Sequence, residues 1–83
     1  MTWGEWLRAA CERLEAAGDL DAHWDADWLL SDEMGVSRAQ LRFQRGDVLS
    51  ERARTRLDER LSRRVSGEPL QYILGDTGFM GLT

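Results

Sequence analysis

The chain has 83 residues, with 11 arginines and no lysine set against 15 acids, for a formal net charge of −4. One small domain fits that length, and it buries only somewhat over about 60% of the surface its unfolded chain exposes, so its stability should be modest. There is no run of about eighteen apolar residues to span a membrane, and Met1-Thr2-Trp3-Gly4-Glu5 lacks the basic and apolar regions of a signal peptide; the expected location is cytoplasmic, with no membrane partner.

Thr2 with Glu5 has the spacing of a capping box, which predicts a first helix over residues 3–17. Trp3, Trp6, Leu7, Ala10, Leu14 and Ala17 recur at three- and four-residue steps and form its buried stripe, and Gly18 ends it. Asp21 suits the N-cap of a second helix over 22–34, stopped by Gly35, with Ala22, Ala26, Leu29, Leu30 and Met34 facing the core. Trp24 and Trp28, four apart, are expected to stack along that helix and widen its apolar surface; the four tryptophans together read as core volume.

Ser37 and Gln40 repeat the capping-box spacing and start a short third helix reaching about Arg45, anchored by Leu41. Ser50 caps a fourth helix over 51–66, whose stripe Ala53, Leu57, Leu61 and Val65 steps by four. Arg54 with Asp58 and Glu59 with Arg63 are expected surface pairs. Gly67 then stops the helix, Pro69 opens a further short one through Leu74, and Gly75 closes it. From 77 to 83, Gly and Thr interleave with Phe79, Met80 and Leu82, a pattern that favours extended structure; a frayed tail is the alternative. Short connections between these helices suit an all-α bundle of four to five helices.

Charge is unevenly placed. Residues 1–35 carry nine acids and two arginines, a net −7, whereas residues 36–83 carry nine arginines and six acids, a net +3. Either the helices have complementary faces, or the acidic half is a surface for a basic partner; on the second reading the candidate partner-binding residues are Asp21, Asp25 and Asp32. Direct binding of nucleic acid is disfavoured, since the net charge is negative and arginines alternate with acids along the fourth helix.

No catalytic set is visible. There is no Gly-x-Gly-x-x-Gly turn, no phosphate-binding loop and no serine with a histidine and acid to activate it. Asp25 and Asp27, two apart on a helix, point to different faces. Cys11 is the only cysteine and His23 the only histidine, which excludes a disulfide framework and falls short of the three or four ligands of a usual zinc site, so no metal ligand is expected. Cys11 reads as a small buried residue of the first helix and His23 as a surface or half-buried one. Asparagine is absent, so no motif that uses its amide is present.

The run Asp25-Ala26-Asp27-Trp28-Leu29-Leu30, then Gly35-Val36-Ser37-Arg38-Ala39-Gln40-Leu41, then Arg63-Arg64 with Gly67-Glu68-Pro69-Leu70-Gln71-Tyr72-Ile73-Leu74-Gly75 and Phe79, resembles the amino-terminal region of the HemK-type methyltransferases. These are the release-factor glutamine N5-methyltransferases. Asp27 stands where the family more often has Glu, and Trp24 and Trp28 are less usual. The resemblance implies a substrate-recognition domain over residues 1–75 and, over 76–83, the start of a β-hairpin linker to a methyltransferase domain that this chain does not contain. It further implies an S-adenosylmethionine-dependent enzyme acting on the Gly-Gly-Gln loop of peptide-chain release factors, with none of its catalytic or cofactor residues in this segment and no cofactor bound by it. Gly67, Glu68, Pro69 and Gly75 would then be the interdomain hinge, and the release factor and the enzyme's own C-terminal domain the partners. A free-standing helical interaction module without enzymatic activity is the other reading.

Overall fold

A computed structural model of the chain describes residues 1–75. Five helices follow one another: α1 (Trp3–Ala16), α2 (Ala22–Met34), α3 (Arg38–Leu41), α4 (Glu51–Val65) and α5 (Leu70–Gly75). The all-α bundle expected from the sequence is what forms; among the described residues the only extended pairing is a single antiparallel bridge between Thr2 and Val48. The expected strand and hairpin start over 76–83 lie outside the described residues.

Local chemistry explains where the helices begin. Thr2 N–H donates to Glu5 Oε1 at 2.8 Å and Glu5 N–H donates to Thr2 Oγ1 at 3.2 Å, the reciprocal box its spacing predicts. The two N–H groups that the box leaves unpaired find carbonyls in the loop before α4: Trp3 N–H donates to Asp47 O and Gly4 N–H to Arg45 O, both at 2.9 Å. Ser37 and Gln40 close a second box, with both bonds at 3.2 Å, and Ser50 Oγ accepts from Ala53 N–H at 3.1 Å. At the other ends, Gly35 and Gly67 take φ of 71° and 108°, a region costly for residues with a Cβ. The N–H of the following residue then reaches back five positions, Val36 to Ser31 O and Glu68 to Arg63 O, each at 3.1 Å, which is the Schellman closure.

Some boundaries depart from expectation. α3 is a single turn ending at Leu41 rather than reaching Arg45, because Leu41 alone of that stretch is buried and Phe43 is 87% exposed. The chain turns away there and presents the carbonyls of Arg45 and Asp47 to α1. Ala17 and Ser66 are the C-caps of α1 and α4 rather than helical residues. Asp21 occupies the N-cap of α2 but its side chain makes no capping bond; its own N–H donates to Asp19 Oδ1 at 2.9 Å. Pro69 immediately precedes α5 rather than opening it, and its carbonyl accepts from Tyr72 N–H at 3.1 Å.

α2 is the hub, packed on α1, α3, α4 and α5. Trp6, Leu14, Leu29, Leu30, Leu57 and Ile73 are fully buried at the centre, where side chains of this size each contribute about 1.5–3 kcal/mol by leaving water. Trp6 also needs a partner for its indole N–H and donates to Asp58 Oδ1 at 3.0 Å. Cys11 is buried in this core, as expected. Ala17 is exposed and Met34 sits at the margin. The reading of four tryptophans as core volume holds for Trp3 and Trp6 only; Trp24 and Trp28 are 51% and 36% exposed. Residues 22, 26, 29 and 30 already fill the arc of α2 that faces the core, which leaves both indoles on the flank next to α3.

An ionic seam ties α4 to α2. Arg56, Arg60 and Arg64 step by four along α4, and Arg56 and Arg60 both pair with Glu33, each at 3.0 Å. Arg60 also pairs with Asp32 at 2.6 Å, and Arg64 pairs with Asp25 at 2.9 Å. Arg60 Nη2 further donates to Ile73 O at 3.3 Å, so one guanidinium joins α2, α4 and α5. The opposite charges of the two halves thus meet inside the bundle. The expected Arg54–Asp58 pair is present at 3.6 Å, while Arg63 Nε donates to Glu68 Oε1 at 3.0 Å.

Candidate functional site

The three acids expected on a partner-facing surface lie in different settings. Asp25 is 4% exposed and held by Arg64, so it faces inward; Asp32 is half-buried and held by Arg60. Asp21 is exposed, with no ion pair among the described residues. The sequence placed them by charge alone, and the reason two turn inward is that α4 offers arginines at the matching helical step.

Around Arg64, Asp25 and Asp19 form a coupled acid pair. Burial and the adjacent Asp19 carboxyl push the Asp25 carboxyl up to about 6, against the pull of Arg64. Burial would raise Asp19 as well, but hydrogen bonds from Asp25 and the Asp21 N–H, together with the Arg64 charge, outweigh it and lower Asp19. Asp19 Oδ2 is buried without a hydrogen-bond partner, while Asp19 Oδ1 accepts from the Asp21 N–H at 2.9 Å. This pair fastens the α1–α2 turn to the end of α4 and is a structural feature.

An aromatic and arginine face lies on the other flank of α2. The rings of Trp24 and Trp28 meet edge to face, with centroids 6.1 Å apart. The Arg38 guanidinium sits 4.2 Å over Trp24 and 5.7 Å from the Trp28 centroid, while its Nη2 pairs with Asp27 at 3.5 Å. Arg38 also borders an open hollow of about 630 Å³ that includes Arg42, Phe43 and Arg45, and a second hollow beside it contains Leu20, Asp21 and Trp24. Exposed indoles, an exposed phenyl ring and guanidinium groups are the side chains from which protein interfaces draw most of their binding energy. Trp24 and Trp28 were visible in the sequence as an i, i+4 pair; that Arg38 would cover them depends on the turn at Gly35 that folds α3 back on α2.

Cys11, Glu15 and His23 also come together, with one ligand atom from each lying within 4.8 Å of the others. Burial, then the charge and hydrogen bond of Glu15, then Asp27 and Glu12, push the Cys11 thiol up from its ordinary value. A count of cysteine and histidine alone does not reveal this cluster. The signal in the sequence is the pair of i, i+4 spacings, Cys11 with Glu15 and His23 with Asp27, on helices joined by a short turn.

The corner between α4 and α5 is well tied. Arg63 engages the Glu68 carboxylate, Arg64 Nη1 donates to Glu68 O at 3.2 Å, and Ile73 is fully buried. Gly67, Glu68 and Pro69 therefore form a fastened bend, and Gly75 ends the described chain beyond it.

This arrangement can be set beside known proteins. A family model described as the PrmC N-terminal domain matches residues 5–75, all of the bundle except the start of α1. The chain belongs to the PrmC N-terminal domain family. Among curated proteins, it is 39% identical over 61 residues to a release factor glutamine methyltransferase of Pseudomonas aeruginosa, covering 74% of this chain and 22% of that protein. It is 37% identical over 75 residues to one from Cereibacter sphaeroides (90% of this chain, 27% of that protein) and 35% over 83 residues to one from Haemophilus influenzae (99% and 28%). The chain therefore spans about a quarter of the length of these relatives. No solved structure gives a significant match. S-adenosylmethionine, the donor implied for such an enzyme, does not fit the residues of this PrmC N-terminal domain: among the described residues there is no strand-to-helix glycine turn to receive it, and the larger hollow on the aromatic face is open and lined by Arg38, Arg42 and Arg45.

Proposed function

We propose that this bundle is the release-factor-recognition domain of an S-adenosylmethionine-dependent protein-glutamine N5-methyltransferase acting on the Gly-Gly-Gln loop of peptide-chain release factors in the cytoplasm. The observation that carries this is the family match, which covers nearly all of the bundle, from residue 5 to 75, together with relatives named as release factor glutamine methyltransferases that extend well beyond it. The division of labour has a physical basis. A side-chain amide is a poor nucleophile and must be held against its methyl donor, and binding energy from surfaces remote from the reacting atoms can fix that geometry. The donor site and the groups that hold the amide belong to the C-terminal domain, and the bundle contributes grip.

The surface best suited to gripping is the face of Trp24, Trp28, Arg38 and Phe43, with Asp21 as the available acid beside it. Asp25 and Asp32 contribute indirectly, by holding α2 against α4. The connection to the methyltransferase domain pivots at Gly75, beyond the fastened bend at Gly67, Glu68 and Pro69.

The test compares the enzyme carrying this domain with a form lacking residues 1–66, each shown to be folded by circular dichroism. Specificity constants are measured for intact release factor and for a short Gly-Gly-Gln peptide. Loss of the domain should lower the constant for intact factor by tenfold or more and leave the peptide's, and the affinity for S-adenosylmethionine, nearly unchanged. Equal constants for intact factor in the two forms would remove the recognition role and leave the bundle a stabilising cap.

A further inference from the structure

Cys11 and Glu15 stand one turn apart on α1, and His23 lies in the first turn of α2 across from them. All three line a cavity of about 380 Å³, together with Arg8, Glu12, Asp27 and Arg45. We propose that Cys11, Glu15 and His23 bind a zinc ion between α1 and α2, with solvent at the fourth position. The ligand set argues for that metal. A thiolate and an imidazole select a borderline-soft cation over magnesium or calcium, and zinc takes sulfur, nitrogen and carboxylate oxygen together in tetrahedral sites.

Geometry allows it. Zinc–ligand bonds of about 2.0–2.3 Å put tetrahedral ligand atoms roughly 3.3–3.8 Å apart, so the present spacing, within 4.8 Å, must close by at most about 1.5 Å. Cys11 is buried and fixes one ligand, whereas Glu15 and His23 are exposed and can rotate inward without disturbing the core. Asp27 stays in the outer shell, paired with Arg38. The local charges nearly balance before binding, with Glu12 and Glu15 against Arg8 and Arg45 and Asp27 neutralised by Arg38, so ionising Cys11 supplies the negative surplus that a dication would meet. On binding, the Cys11 S–H bond breaks, a zinc–sulfur bond forms and the proton leaves to buffer, so affinity rises with pH. The ion would cross-link α1 to α2 in a small domain whose only cysteine is unpaired.

The test uses the 83-residue chain free of any affinity tag. Zinc is titrated by calorimetry, and cobalt is added as a spectroscopic probe of thiolate coordination. One ion per chain is expected, with a near-ultraviolet sulfur-to-cobalt charge-transfer band and the intense visible bands of a tetrahedral site. Cys11→Ser should abolish the charge-transfer band. Glu15→Gln and His23→Gln alter exposed side chains, and so keep the fold; each should weaken cobalt binding by at least about tenfold. Zinc should raise the melting temperature of the parent chain and not of His23→Gln. The proposal is overturned if the folded parent chain shows no saturable binding, or if Glu15→Gln and His23→Gln bind cobalt as the parent does.

Discussion

Arg64 and Asp25 meet across 39 positions of sequence, with Arg64 Nε donating to Asp25 Oδ2 at 2.9 Å and fastening the last turn of α4 to the first turn of α2. The pair is not a simple salt bridge, because Asp19 shares the same guanidinium at 3.8 Å and its carboxyl is coupled to that of Asp25. Two carboxyls and one cation leave a place for one proton.

The corner should therefore be sensitive to pH. Asp25 is raised from 3.8 to about 6 in the folded chain, so the fold favours its protonated form; that contribution is full below about 4 and is lost as pH rises through 6. Asp19 is lowered, and its contribution is present above its ordinary value and lost as pH falls below it. Asp25→Asn is permanently neutral and keeps an N–H to offer Asp19. Its melting temperature relative to the parent should rise by about 4–8 °C between pH 4 and 7, corresponding to on the order of 1 kcal/mol. Parallel profiles for the two chains would refute the shared proton.

Arg60 is the most consequential charged residue. Arg60→Met keeps the alkyl stem but strands Asp32, Glu33 and the Ile73 carbonyl. Breaking a buried pair typically costs about 3–5 kcal/mol. Asp32 can recover solvent and Glu33 retains Arg56, which places the expected loss near 3 kcal/mol in urea unfolding. A domain of this length has roughly 4–12 kcal/mol in total, so the loss is large. Hydrogen exchange should show α5 opening first; uniform loss of protection across all helices would contradict the role given to the Ile73 contact.

What was legible in the sequence was local. The two capping boxes and the glycine stops at Gly35 and Gly67 depend on residues within five positions of each other, and they form as their spacing predicts. The attraction between the two halves was legible as a sign of charge, but its partners depend on how α4 lies on α2, so Asp25 could not be told from Asp21. Trp24 and Trp28 fit an apolar stripe as well as Trp3 and Trp6 do; only the packing of α2 decides which indoles are covered. Likewise the meeting of Cys11, Glu15 and His23 needs the α1–α2 turn, which helical periodicity does not describe.

The two tryptophan pairs should separate stability from recognition. Trp6 is fully buried with its indole bonded to Asp58, and Trp6→Ala should cost about 3–5 kcal/mol. Trp24 is half exposed, and Trp24→Ala should change stability by less than about 1 kcal/mol while weakening binding of release factor to the 83-residue chain by about 2 kcal/mol, a loss of roughly thirtyfold. Arg38→Ala should weaken binding in the same direction. Unchanged affinity in both variants, measured by titration with intact factor, would move the grip off this face.

Gly4 offers a test in which helix propensity and tertiary packing predict opposite signs. It lies in the first turn of α1, and alanine is intrinsically better than glycine by at most about 1 kcal/mol, the helix-interior value, so Gly4→Ala should stabilise an isolated helix. In the bundle, a Cβ at this position would stand 3.2 Å from Arg45 O and 3.3 Å from Arg45 Cβ. That carbonyl is the acceptor for the Gly4 N–H at 2.9 Å, so it cannot retreat without lengthening the bond that satisfies the helix start. The neighbouring Trp3 N–H to Asp47 O and Leu49 N–H to Met1 O bonds, at 2.9 and 2.8 Å, hold the chain that follows Arg45 and limit its movement. The clash should outweigh the propensity gain and leave Gly4→Ala less stable than the parent by about 1 kcal/mol. Gly46→Ala, whose Cβ would meet nothing within 4 Å, is the control and should change stability little. Urea unfolding of the three chains decides it: a Gly4→Ala chain as stable as the parent or more so would mean that the loop over residues 45–47 yields, and that α1 does not depend on it for the pairing of its first N–H groups.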